Sequence, residues 1–248
     1  MSQADPVQRF GALIALALPH TLRPLIERLS MRALSPWFAS ILLGVLSSSG
    51  CQTAPSPTAA ARGQHQFDNY CLPCHGADGQ GKPEIEAPSI AGLPVWYIEG
   101  QLQRYRTGLR GSHFNDLEGM RMRPMSLTLS SSADVTAVAT YASKLRSIQP
   151  PASEGMDGDA ARGAPLFGAC ATCHGPDGKG MEEKQAPPLT EQYDWYLVRQ
   201  LQKFKDGVRG YGEEPGSNAA QMAGVWAQTL ADEQAMKDVV AHIQTLRK

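Results

Sequence analysis

The chain is expected to fold as an all-α protein built twice on one plan, and three observations lead there. Residue groups recur at an interval of 99: Trp96-Tyr97 with Trp195-Tyr196, Gln101-Leu102 with Gln200-Leu201, and Leu109-Arg110-Gly111 with Val208-Arg209-Gly210. Apolar residues near the end of each half step by three and four: Val135, Val138, Ala139, Ala142 and Leu145 in the first, Val239, Ile243 and Leu246 in the second. Such spacing lines one face of a helix. No stretch alternates apolar and polar residues convincingly enough to be a strand.

Residues 1–51 read as an export region. Met31-Arg32 opens a short charged stretch, the apolar run Trp37 to Leu46 follows, and Ser47-Ser48-Ser49-Gly50 leads to Cys51. The apolar core is too short to span a bilayer, which marks a signal peptide with its cleavage region. Small residues ending in Gly-Cys resemble a bacterial lipoprotein box, although Ser48 stands where such boxes usually place leucine. Two fates are open for Cys51: lipidation, or ordinary cleavage near this point. An earlier apolar stretch, Phe10 to Pro19, is followed by Arg23 and Arg28. A signal beginning at Met31 is complete without it, so Met31 is read as the true start; the alternative is an unusually long signal region.

A polar tether, residues 52–59, leads into the first repeat, residues 60–146. Its helices are expected at about 60–70, from near Trp96 to the Thr107-Gly108 stop, and at about 133–146. The linker, residues 147–158, is rich in Pro, Ser and Gly. The second repeat, residues 159–248, is expected to place helices at about 159–169, from Trp195 to Asp206-Gly207, and at about 232–246. Each half therefore reads as three main helices joined by long glycine- and proline-rich loops. A net charge of −1 leaves no basic footprint for nucleic acid.

Within this frame Cys71-Leu72-Pro73-Cys74-His75 recurs as Cys170-Ala171-Thr172-Cys173-His174. Two cysteines separated by two residues, with histidine next, form the attachment signature of c-type haem. The thiols add across the haem vinyl groups and the imidazole becomes an axial ligand to iron. A zinc site would need a second ligand pair at a characteristic spacing, and neither half offers one. A redox dithiol would sit beside a βαβ pattern, which is absent. The cofactors expected are two covalently bound haem c groups.

Each iron then needs a second axial ligand, and methionine is usual in electron carriers. The first half offers Met120, Met122 and Met125 in the loop expected before its last helix. The second offers Met222 in the comparable stretch, with Met181 just after the haem motif and Met236 inside the last helix. Met122 lies 51 residues after Cys71 and Met222 lies 52 after Cys170, which pairs these two. Met125 is the rival in the first half. Histidine–methionine coordination saturates the iron and suits electron transfer rather than bond chemistry.

Residues 60–248 resemble the tandem, two-haem class I cytochromes c, most like the cytochrome c4 family. Both Cys-x-x-Cys-His-Gly motifs, the Pro88-Ser89-Ile90 and Pro187-Pro188-Leu189 loops and the Trp-Tyr helices carry the resemblance. It implies methionine ligands seven residues before a Leu-Ser pair: Met122 stands seven before Leu129-Ser130, and Met222 eight before Leu230-Ala231, one residue having entered near Trp226. It also implies that the Pro88 and Pro187 carbonyls accept hydrogen bonds from His75 and His174. His242 stands where the family has tyrosine, as Tyr141 does in the first half, and is read as packed or solvent-facing, like His65 and His113. The expected function is electron carriage in a bacterial periplasmic respiratory chain, between a membrane quinol-oxidising complex and a terminal oxidase or reductase. No enzymatic activity is expected, and lipidated Cys51 would add a membrane anchor. The alternatives are a dihaem peroxidase-like enzyme, which needs one iron without methionine, and a haem-bearing subunit of a dehydrogenase or oxidase complex.

Overall fold

The structure is a computed structural model that describes residues 58–210 and 212–247, with the side chains of 225–228 excepted. Residues 1–51, where an export region with Met31 and Cys51 is expected, and nearly all of the expected tether lie outside the described residues. In the first half the helices are α1 (Ala59–Gln66), α2 (Leu72–His75), α3 (Val95–Thr107), α4 (Leu117–Leu127) and α5 (Ser132–Ser143). The second half has α6 (Ala160–His174), α7 (Asp194–Lys205), α8 (Asn218–Thr229) and α9 (Glu233–Thr245). Among the described residues there is no strand, only isolated bridges pairing Lys82 with Ala87 and Met181 with Ala186. The protein is all-α, as its periodicity requires.

The caps follow local chemistry. Asp159 and Asp232 accept backbone N–H bonds at the starts of α6 and α9, and Ser131 forms a reciprocal capping box with Asp134 at α5. These bonds satisfy donors that a helix start otherwise leaves free. Helices α4 and α8 correct the three-helix reading: the methionine stretches are helical, not loops. Pro124 and Gly119 lowered the legibility of α4, and Gly224 that of α8. Asp116 caps α4, its carboxylate accepting from the Gly119 N–H at 3.2 Å.

Each half closes around a crossing of its first and last helices. Gly63 of α1 lies so close to the Ala137 carbonyl of α5 that a Cβ would strike it, and Gly163 of α6 meets the Asp238 carbonyl of α9 in the same way. Next to these crossings Phe67 faces Tyr141 with ring centroids 5.1 Å apart, and Phe167 faces His242 at 5.4 Å. The motif helix then differs between halves. Gly63 precedes Cys71 by eight residues, whereas Gly163 precedes Cys170 by seven. The extra residue is absorbed by a π-helical turn, Phe67–Cys71, between α1 and α2; α6 runs through unbroken. A π-bulge is how a helix takes in one residue while both ends stay in register.

Two apolar cores result. Phe67, Ile98, Leu102, Leu129, Val135 and Val138 anchor the first, and Phe167, Leu197, Phe204, Met236, Val239 and Ile243 the second. Both halves belong to one compact unit. What joins them is polar, and it lies between the cavities described next.

Candidate functional site

The first Cys-x-x-Cys-His segment runs from the end of the π-turn through α2 and the second closes α6; Cys71, Cys74 and His75, and Cys170, Cys173 and His174, line the space enclosed by their halves. His75 and His174 are buried. Their Nδ1 atoms each lie 2.8 Å from a carbonyl oxygen, of Pro88 and of Pro187. A carbonyl can only accept, so Nδ1 carries the proton and donates, leaving the Nε2 lone pair free to bind a metal. Burial lowers both imidazole pKa values against the opposing effect of these hydrogen bonds, which favours the neutral, ligating form. The proline loops are held against the motifs by the Gly81 and Gly180 N–H groups, which donate to the His75 and His174 carbonyls at 2.8 Å.

The thiols do not look like a reactive pair. Burial, with Cys74 nearby, pushes Cys71 up to about 12, and burial pushes Cys170 up to about 11. A redox dithiol needs the opposite shift. Among the described residues, no cluster of three or more His, Cys, Asp or Glu side chains could hold a metal ion on its own.

The first cavity is lined by Cys71, Cys74, His75 and Pro88 on one side and by Met122 and Met125 of α4 on another. Met122 is half-buried against the first core, whereas Met125 is 37% exposed. Met120 is 47% exposed and does not line the cavity. The second cavity brings Cys170, Cys173, His174 and Pro187 together with Met222 of α8. Met236 is fully buried in the second core, and neither it nor Met181 or His242 lines that cavity. His65 is exposed and His113 stacks on Phe114. The empty spaces are about 1460 and 1720 Å³, open sides included.

The cavities adjoin. Tyr97, Gln101, Arg110, Gln192, Tyr196 and Gln200 line both. Arg110 donates to the Gln101 amide oxygen at 2.7 Å and to Gln200 at 3.3 Å; Arg209 donates to Gln200 at 2.8 Å and to Gln101 at 3.3 Å. These partners are neutral, so two positive charges are gathered at the boundary. Burial works to raise the Tyr97 hydroxyl pKa, yet Arg209 and Arg110 hold it below its usual value. Sequence reasoning gave these residues no role, although Gln101/Gln200 and Arg110/Arg209 repeat at the same interval as the haem motifs.

Ion pairs also cross the boundary between the halves. Lys203 of α7 reaches Asp116 and Glu118, each at 2.5 Å, and Arg199 reaches Glu118 at 2.5 Å and Glu86 at 2.6 Å. Arg104 pairs in the reverse sense with Glu213 at 2.7 Å. Ser89 and Gln192 exchange hydrogen bonds of 3.2 and 2.9 Å in a buried contact.

A helical shell with two large cavities, each presenting a Cys-x-x-Cys-His segment and a buried imidazole with one nitrogen free, defines a protein that carries covalent haem. The lining suits the group: apolar walls match the macrocycle, and the two boundary guanidiniums match its carboxylate arms. The cytochrome c family profile matches residues 60–146 and again 160–247, and the chain belongs to that family. Its cofactors are two covalently bound haem c groups with iron. The fold is similar to reduced cytochrome c4 from Pseudomonas stutzeri, with a TM-score of 0.58 at 28% identity over 75% of this chain and 97% of that one. A thiosulfate dehydrogenase electron acceptor of Thiomonas intermedia is 38% identical over 56% of this chain and 64% of its own length. A cbb3-type cytochrome c oxidase subunit of Rubrivivax gelatinosus is 32% identical over 56% of this chain and 41% of its own length. The chain thus spans less than two thirds of these last two relatives.

Proposed function

We propose that this dihaem electron carrier works in the bacterial periplasm, taking electrons from a membrane quinol-oxidising complex and delivering them to a terminal oxidase or reductase. In this reading Cys71, Cys74, Cys170 and Cys173 would hold the haems through thioether links, His75 with Met122 and His174 with Met222 would ligate the irons, and the Pro88 and Pro187 carbonyls would orient the imidazoles. The observation that carries it is the pairing, in each cavity, of a neutral buried imidazole with a methionine helix. When bound, haem iron supplies a one-electron couple that a thioether ligand shifts toward the ferrous state. The residues of this chain would supply a histidine and a methionine to each iron and keep the two cavities adjoining, so that little would need to rearrange on oxidation or reduction. That arrangement favours carriage over catalysis. Lipidation of Cys51 would confine the carrier to a membrane surface.

A second donor has support in the relatives. Similarity to a thiosulfate dehydrogenase electron acceptor and to an oxidase subunit favours a carrier that serves, or is held by, an enzyme complex. The deciding experiment is an equilibrium redox titration of the mature holoprotein with optical spectra. Two low-spin, high-potential centres with methionine-to-iron absorption are expected. One high-spin or low-potential centre would overturn the ligand assignment and bring a peroxidase-like activity forward. Stopped-flow reduction by thiosulfate dehydrogenase or by a quinol-oxidising complex then distinguishes the donors.

A further inference from the structure

The two tryptophans of the repeat cross over. Trp195 belongs to α7 of the second half but lines the first cavity, and Trp96 belongs to α3 of the first half but lines the second. Neither lines the cavity of its own half. The Trp195 indole N–H is buried without a hydrogen-bond partner among the described residues, and so is the Nε–H of Arg110. Arg110 is itself only 5% exposed and lines the same first cavity. A buried, unanswered donor is destabilising, and buried indoles ordinarily find an acceptor. Here two such donors, one from each half, both belong to residues lining the first cavity, although Arg110 lines the second as well, and the occupant carries carboxylates.

We propose that Trp195 donates its indole N–H to a carboxylate arm of the first haem, beside Arg110, so that the second half sets the potential of the first half's iron. The proposal rests on the reading that a haem fills the first cavity. A donor to an ionised carboxylate offsets negative charge that otherwise favours the ferric state, so the bond raises the first-haem potential. It also favours the ionised carboxylate, so the bond lowers that group's pKa. Trp195 is a positioning and tuning residue; it reaches no iron.

The test uses the holoprotein with Trp195→Phe, and Trp96→Phe as the matched change at the same boundary. Haem content per chain is measured first, and one haem instead of two would defeat the underlying reading rather than the tuning role. With two haems present, Trp195→Phe is expected to lower the potential of the first haem, assigned from its paramagnetically shifted methyl signals, and leave the second unchanged. The pH dependence of that potential moves to higher pH. Unchanged first-haem behaviour, or equal shifts in both haems, overturns the proposal by leaving only a packing role. A measurement on the unaltered protein guards against a variant that fails to mature. The ¹⁵N-labelled Trp195 indole signal should exchange slowly with solvent and respond to oxidation of the first haem. Fast exchange, or a response to the second haem alone, overturns the proposal.

Discussion

The two cavities share a plan but not a rim. The mouth of the first includes Ile85, Glu86, Arg121 and Met125, with Arg121 bonded to Glu86 at 3.2 Å and Arg199 of the other half on the same carboxylate. At the second mouth the places of Ile85 and Glu86 are taken by Lys184 and Gln185, and Asn218 bonds Gln185 at 3.0 Å. Glu86 and Gln185 keep the same left-handed backbone, with φ of 59° and 47°. Duplication preserved the backbone path that brings a proline carbonyl to the histidine, while the side chains around the mouths diverged. The first cavity also has two lining methionines against one in the second. What an electron carrier needs inside is therefore kept twice, and what it shows to a partner differs between its ends.

The largest expected effect exploits the methionine difference. Met222→Ala should abolish the methionine-to-iron absorption of one haem, about half of the total, with a large fall in that potential. Met122→Ala should cost less because Met125 lines the same cavity, and Met125→Ala should leave the absorption intact. Optical titration of the three variants checks this, and a retained band in Met222→Ala would break the comparison.

Next come the ion pairs between the halves. Lys203→Ala leaves the buried Asp116 carboxylate without its cation and should cost about 3–5 kcal/mol, and Arg104→Ala, which does the same to the buried Glu213, should cost a similar amount. Thermal unfolding of the holoprotein measures both. The Lys203 pairs carry a pH signature. Burial acts to raise Asp116 and Glu118, but the hydrogen bond and charge of Lys203 overcome it, holding Asp116 below its ordinary range and Glu118 at about 2. A depressed carboxylate stabilises above its unfolded pKa. The Glu118 contribution should thus be full above about pH 4.5 and fade toward pH 2, a loss reduced in Lys203→Ala, where Arg199 still pairs with Glu118.

Gly63→Ala and Gly163→Ala should each destabilise by about 1–3 kcal/mol, because the methyl group enters a carbonyl of the crossing helix. Differential scanning calorimetry would show it. The smallest effect is expected for His242→Tyr, which makes the second crossing like the first. It should change stability by less than about 1 kcal/mol and leave both haem spectra as they were, since His242 lines neither cavity.

Much of this molecule could be read before folding it. The helices at both ends of each half were visible because Val135, Val138 and Ala142 obey a helical step and pack one way. Helices α4 and α8 were not, since Pro124 and several glycines weaken local propensity and tertiary packing supplies the stability instead. The haem motifs were legible because their ligating atoms are contiguous in sequence, so spacing alone states the chemistry. Arg110 and Arg209 were present in the same repeat, yet a recurring arginine reads equally well as a solvated surface.

From the sequence alone came the duplication, the all-helical class and the two attachment motifs, all consequences of local spacing along one chain. It also held the single-residue difference before Cys71, though not the π-turn that absorbs it. Only the tertiary structure decided which methionines face a cavity, how Lys203 finds Asp116 and Glu118, and that Trp96 and Trp195 each line the cavity of the opposite half. Those depend on the burial of polar groups between two separately built cores, and burial is a property of the assembled fold that no local spacing encodes.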